Sequence, residues 1–170
     1  MITLALMLTS AIPALLAPGP SPPTGAAVSV LVHAPLAEIA TIVPGSEIVE
    51  AYDSFVLLKA MPDSIAALEA RGIAVEPQDE SRMISLQAFR FDTRVGEPAL
   101  ASDLRASPTQ DSALYIIHLI GPAKPEWLHG LQALGVRVLQ SVPTYAFLVS
   151  MNAASRDAVK ALRFVDWIGP

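Results

Sequence analysis

The sequence contains no cysteine. That one absence removes disulfides, thiolate metal sites and cysteine nucleophiles together, so the chain must be held by core packing or by a partner that shares its core. Positive charge is also scarce. Eleven Lys and Arg stand against 16 Asp and Glu in 170 residues, the net charge is −5, and no run of cations occurs. Nucleic acid is held by clustered cations, so the reading is that no nucleic-acid partner exists. Gly121, Gly130 and Gly135 are isolated, which leaves no phosphate loop. The first apolar run, Ile2 to Leu16, is short for a spanning helix and of the right length for a signal-peptide core.

Met1 to Ala17 carries no ionisable side chain, and the first in the chain is His33. Residues 1–26 therefore read as a signal peptide and a Pro/Gly-rich linker, with Thr24-Gly25-Ala26 as the small-residue cleavage candidate. No Lys or Arg precedes the run and Pro13 interrupts it, so an uncleaved anchor is the alternative. The expected location is secreted or extracytoplasmic, with membrane contact only through this segment. Lack of cysteine suits a microbial source.

Leu114 to Ile120 is an apolar, β-branched run stopped by Gly121-Pro122. Pro125 opens a helix carrying Trp127, Leu128, Leu131 and Leu134 at helical spacing, and Gly135 closes it. Val136 to Gln140 and Tyr145 to Met151 read as strands joined by Val142-Pro143-Thr144. Asn152 caps a second helix with Ala154, Ala158, Ala161, Leu162 and Val165 on one face, and Val165 to Ile168 is a last strand. The order is β-α-β-β-α-β, a ferredoxin-like unit.

Ala27 to Pro77 repeats this plan, with strands at Val28–His33, Glu47–Ala51, Phe55–Ala60 and Ile73–Val75 and helices at Leu36–Ile42 and from Pro62. Phe55-Val56-Leu57-Leu58 aligns with Phe147-Leu148-Val149-Ser150, 92 positions later. The fold class expected is α+β, two tandem ferredoxin-like βαββαβ units, each an antiparallel sheet with two helices on one face. The units span 27–80 and 113–170, and 81–112 is an inter-repeat arm. In that arm Ile84, Leu86 and Ala88 alternate with polar residues, and Phe91 is expected to tuck against a repeat. One irregular α+β domain is the alternative.

The segments Tyr115–Pro122, Leu131–Val136, Tyr145–Val149 and Phe164–Pro170 resemble the N-terminal prodomain of secreted subtilisin-like serine proteases, and more narrowly the long N-terminal regions of microbial subtilases in which the unit recurs. Phe91 to Pro98 resembles the inter-repeat segment of those regions. The resemblance implies a prodomain whose sheet lies on two surface helices of the protease while its tail enters the active-site cleft, guiding folding and inhibiting until cleaved. The tail candidate is Trp167-Ile168-Gly169-Pro170. The family's chain runs on past this point, and a longer precursor would be a serine endopeptidase.

The chain itself is not expected to be an enzyme. A subtilase needs Asp, His and Ser in glycine-rich contexts, and neither Asp-Ser/Thr-Gly nor Gly-Thr-Ser occurs. His129-Gly130 is followed by Leu131 inside a helix, and the only asparagine, Asn152, sits at a helix start. His33 and His118 read as strand-edge side chains rather than ligands. Glu126 and His129 have helical metal spacing without further ligands and read as a solvated face. Trp127 and Trp167 read as core anchors, and Pro143-Thr144-Tyr145 as a turn. Catalytic, cofactor-binding and metal residues are therefore none, and cofactors none.

The informative feature is excess apolar sheet. Leu114, Ile116 and Ile120 line one face of the first strand of the second unit, and Tyr115, Ile117 and Leu119 the other. Tyr145, Phe147 and Val149 repeat the pattern against Ala146 and Leu148. Two helices can cover only one face, and the other would expose several hundred Å², about the most a solitary monomer shows. The expected contacts with a protease catalytic domain, in cis or in trans, are Tyr115, Ile117, Leu119, Tyr145, Phe147, Val149, Trp167, Ile168, Gly169 and Pro170. A stand-alone subtilase inhibitor and a tandem ligand-binding module are the alternatives.

Overall fold

The structure, a computed structural model, describes residues 25–86, 90–97 and 112–169. These form four helices and three antiparallel sheets, a mixed α+β fold. The signal-peptide run, Ala88, Pro98 and Pro170 lie outside the described residues, as does most of the arm beyond Glu97.

The first unit runs β1 (Val28–Val32), α1 (Leu36–Ile42), β2 (Glu47–Ala51), β3 (Val56–Ala60), α2 (Pro62–Glu69) and β4 (Val75–Pro77). Its sheet has the order β2-β3-β1-β4. Val30, Val32, Val56 and Leu58 meet Ile39 of α1 and Leu68 of α2 in one core, so both helices lie on one face. Pro62 sits in the first turn of α2, where its missing N–H costs nothing, and Gly72 reverses the chain afterwards at φ +77°.

A short hairpin follows, β5 (Met83–Ser85) and β6 (Arg90–Asp92), paired only with each other. The second unit runs β7 (Ala113–Leu119), α3 (Pro125–Ala133), β8 (Arg137–Val142), β9 (Ala146–Met151), α4 (Ala153–Lys160) and β10 (Val165–Gly169), with sheet order β10-β7-β9-β8. Its core joins Tyr115, Ile117, Leu119, Val149 and Met151 to Trp127 and Leu131 of α3 and Val159 of α4. The Trp127 and Phe164 rings stack at 5.0 Å. Asn152 caps α4, its Oδ1 accepting the Ser155 N–H at 2.8 Å.

Three expectations are corrected. The face of β7 and β9 expected to be uncovered, that of Tyr115, Ile117, Leu119, Phe147 and Val149, is the one under the helices. Alternation separates two faces, and which one the helices take is decided by how they cross over. The 92-residue offset also fails in phase. It pairs Leu57 with Val149, yet Val149 faces the helices while Leu57 stands outside the helix-side core of its own sheet. Side-chain period is two, so the correct offset is odd: Leu58 and Ala60 correspond to Val149 and Met151. In α4 the buried residue is Val159, and Ala154 and Ala161 are exposed.

Candidate functional site

With helices on one side of each sheet, the chemistry of interest lies on the two helix-free faces. In the first unit Leu31 and Leu57 occupy that face, directly opposite one another on β1 and β3, and both are buried. The loop between β7 and α3 closes over Leu57. A Cβ built on Gly121 would stand 2.9 Å from both Leu57 Cδ2 and Tyr52 Oη, so only glycine permits this approach. Tyr52 donates its hydroxyl proton to the Pro122 carbonyl at 2.8 Å.

Charge then locks the junction. Glu50 on β2 is 8% exposed and accepts from Lys124 Nζ at 2.5 Å and from Arg163 Nη1 at 2.7 Å, one cation on each carboxylate oxygen. Lys124 also donates to the Ala51 carbonyl at 2.7 Å and lies over the Tyr52 ring at 4.7 Å. Burial pushes the Glu50 pKa up, and the hydrogen bonds and charges of Lys124 and Arg163 outweigh it, leaving the carboxyl below its ordinary value. Burial pushes the Tyr52 hydroxyl up, helped by the Glu50 charge.

In the second unit the helix-free face carries Ile116, Ala146, Leu148 and Trp167, and the hairpin lies on it. Ile84 of β5 is fully buried against Ile116, Val142 and Ala146, and Phe91 of β6 meets the Trp167 ring edge-on at 5.5 Å. Ile84 and Phe91 are directly opposite in the hairpin and so share the face that grips the sheet. His118, 2% exposed, donates from Nε2 to the Ser81 carbonyl at 2.7 Å, and Arg82 pairs with Asp166 at 2.8 Å. His118 Nδ1 and Asp166 Oδ2 face each other at 3.3 Å, out of line for a hydrogen bond and without another partner. Leu114, at the end of the face, remains 55% exposed.

The expected contact residues therefore scatter. Tyr115, Ile117, Leu119 and Val149 are core, and Phe147 and Ile168 pack partly buried beside them. Tyr145, at φ +57°, donates its hydroxyl proton to Gln78 Oε1 at 2.7 Å across the junction of the two units. Among the described residues Trp167 and Gly169 are the candidates on the helix-free face, opposite His118 and Ile116 of β7, and Trp167, Ile168 and Gly169 belong to an edge strand of the sheet rather than to a free tail. The Trp167 indole occupies the space a Cβ on Gly169 would need, 2.0 Å away, so that glycine serves the ring. Sequence reasoning missed the role of His118 and Asp166, which pin the arm, and that Leu114, Ile116 and Leu148 stand on the helix-free face. The signal was present: His118 on β7 and Ser150 on β9 are the polar members of their alternating sets, and both fall on the helix-free side.

Between the first sheet's helix-free face and the second unit lies a cleft of about 650 Å³ lined by Ser29, Lys59, Arg82, Arg94, His118 and Asp166 among others. His118 and Asp166 resemble a base and its orienting acid, but no hydroxyl is hydrogen-bonded to the pair among the described residues. Glu126 and His129 are both exposed, and no group of three or more potential metal ligands occurs among the described residues. No helix among them is long and apolar enough to cross a membrane. The arrangement can bind, through apolar surface and paired charge.

No curated protein and no solved structure matches the chain. One family does, over residues 71–170, a span that takes in β4, the hairpin and the whole second unit. Matched over more than half its length, the chain belongs to the family described as a domain of unknown function, DUF8729.

Proposed function

We propose that the chain is a non-catalytic docking region, the N-terminal prodomain region of a secreted subtilisin-like serine protease, made of two tandem ferredoxin-like units and acting as folding template and temporary inhibitor of the catalytic domain. The orders β2-β3-β1-β4 and β10-β7-β9-β8 support the ferredoxin-like reading, since both place the fourth strand beside the first and the third between the first and second. The observation that carries the docking role is the apolar helix-free face of the second sheet, where Ile116, Ala146, Leu148 and Trp167 stand with Leu114 open to solvent. Within the chain only the β5–β6 hairpin lies on this face among the described residues, which makes it the apolar surface most readily offered to another folded body. The contact set moves with the corrected face, from Tyr115, Ile117, Leu119 and Val149 to these residues.

The test is direct. Purified chain is titrated into an active subtilisin, and denatured subtilisin catalytic domain is refolded with and without it. Inhibition at micromolar concentration and a higher refolding yield are expected. Uninhibited protease together with an unchanged yield rejects the role. A second reading, a small-molecule-binding tandem module, draws on the 650 Å³ cleft between the units. It requires a ligand that raises the melting temperature and loses that effect when Arg82 and Lys59 are both changed to Ala.

A further inference from the structure

We propose that the β5–β6 hairpin is a removable cover, lying on the helix-free face of the second sheet in the free chain and yielding that face to the partner that docks there. The partner, an apolar protein surface on a protease catalytic domain, rests on the function proposed above. The cover rests on geometry.

The hairpin's strands pair with each other and add to neither larger sheet, so lifting them breaks no ladder outside the hairpin. Its grip is side-chain packing at one register position, Ile84 in the Ile116–Val142–Ala146 hollow and Phe91 against Trp167. Among the described residues its polar ties to the second unit gather at one end. Ser81 and Arg82, just before β5, are held by His118 and Asp166, and just after β6 the Thr93 N–H donates to the Arg82 carbonyl. At the other end Ser85, Leu86 and Arg90 are exposed, and among the described residues Arg90 pairs with Glu80, just before the hairpin's root. A flap fixed at its root and held elsewhere by two side chains is the least protected kind of element, with few apolar contacts and little backbone bonding to the body beneath.

The same apolar area cannot be buried by the hairpin and by a partner at once. A partner's apparent dissociation constant is then its intrinsic one divided by the fraction of chains with the cover lifted. Weakening the grip must tighten docking, although it removes contacts from the chain. A hairpin that was itself part of the docking surface would show the opposite sign.

The experiment uses the full chain and the double variant Ile84→Ala/Phe91→Ala, which leaves the sheet face unaltered. Native-state hydrogen exchange follows amides of 83–85 and 90–92 against those of β7 and β9, and the inhibition constant is measured against an active subtilisin. In the wild type, hairpin amides are expected to exchange while β7 and β9 stay protected. In the variant the inhibition constant is expected to fall by on the order of tenfold. Hairpin amides that exchange only together with β7 and β9 overturn the cover, and this readout on the wild type stands even where the variant fails to fold. Where the wild type inhibits, a variant that inhibits equally or less well also overturns it. If neither protein inhibits while the hairpin opens by itself, the protease role fails and the cover stands.

Discussion

The two units share an element order and a strand order, yet their helix-free faces are closed by different means. The first is sealed by a loop of the other unit, with Gly121 against Leu57 and a buried carboxylate, Glu50, satisfied by two cations from beyond the junction. The second is closed by a six-residue pair of strands that adds no ladder to it. The first closure is a packed and charge-paired joint between the two units, and the second is side-chain packing by a hairpin that belongs to neither larger sheet. The contrast shows that each sheet buries apolar side chains on the face its helices leave free, and that a different kind of neighbour closes it in each unit.

The comparison can be broken most forcefully through the cores. Ile117→Ala in the second unit and Leu58→Ala in the first each remove a fully buried side chain, and each is expected to cost about 3–4 kcal/mol in urea unfolding. If the Glu50 joint makes one cooperative body, each variant shifts a single transition. Two separate transitions would show the joint to be nominal.

Next in size is Glu50→Gln. Removing the shared carboxylate charge leaves Lys124 partly buried, while Arg163, 71% exposed, falls back to water, so a loss of about 2 kcal/mol at neutral pH is expected. The pH dependence has a definite sign. A carboxyl held below its ordinary value contributes stability above its unfolded pKa of about 4.3 and loses it as pH falls further. Wild type should therefore weaken on acidification through this window while Glu50→Gln stays flatter, which parallel unfolding curves from neutral to acid pH would reveal.

Glycine substitutions sharpen the contrast at about 1–2 kcal/mol. Gly121→Ala drives a methyl into Leu57 and Tyr52 and should destabilise by about that amount. Gly130→Ala lies within α3, where the nearest atom to the added methyl, Phe164 Cζ, is 3.9 Å away, and should stabilise by up to about 1 kcal/mol. Thermal melts of the pair would show opposite shifts.

The smallest effect is Tyr52→Phe, about 1 kcal/mol for the lost hydrogen bond to Pro122. The raised pKa of the Tyr52 hydroxyl adds stability that is complete below about pH 10 and declines as pH rises above it. Wild type and variant should thus converge in strongly alkaline solution, and equal slopes would contradict the burial of this hydroxyl.

Much of the fold was legible. Pro62, Pro125, Asn152, Gly72 and Gly135 mark helix starts and stops because each has a local backbone reason to be there, and all five mark them in the structure. Phe91 does pack on the second unit. The candidate site was less legible. Tyr115 and Ile116 are both apolar, and their order along β7 gives no sign of which side α3 and α4 will occupy. His118, expected at a strand edge, sits on an inner strand beneath Ser81, a residue 37 positions earlier in the chain, and no local pattern links the two.

By itself the sequence determined the four helices and most strands of the two units, because turn chemistry and side-chain period act over a few neighbouring residues. Lack of cysteine and of clustered cations likewise narrowed the possible chemistry through composition alone. Tertiary structure decided the rest: which apolar face of the second sheet turned inward, that Glu50 would meet Lys124 and Arg163, and that the arm would fold over Ile116 and Trp167. Those outcomes depend on contacts between residues far apart in the chain, where burial and charge pairing are shared between partners and neither segment carries the answer alone.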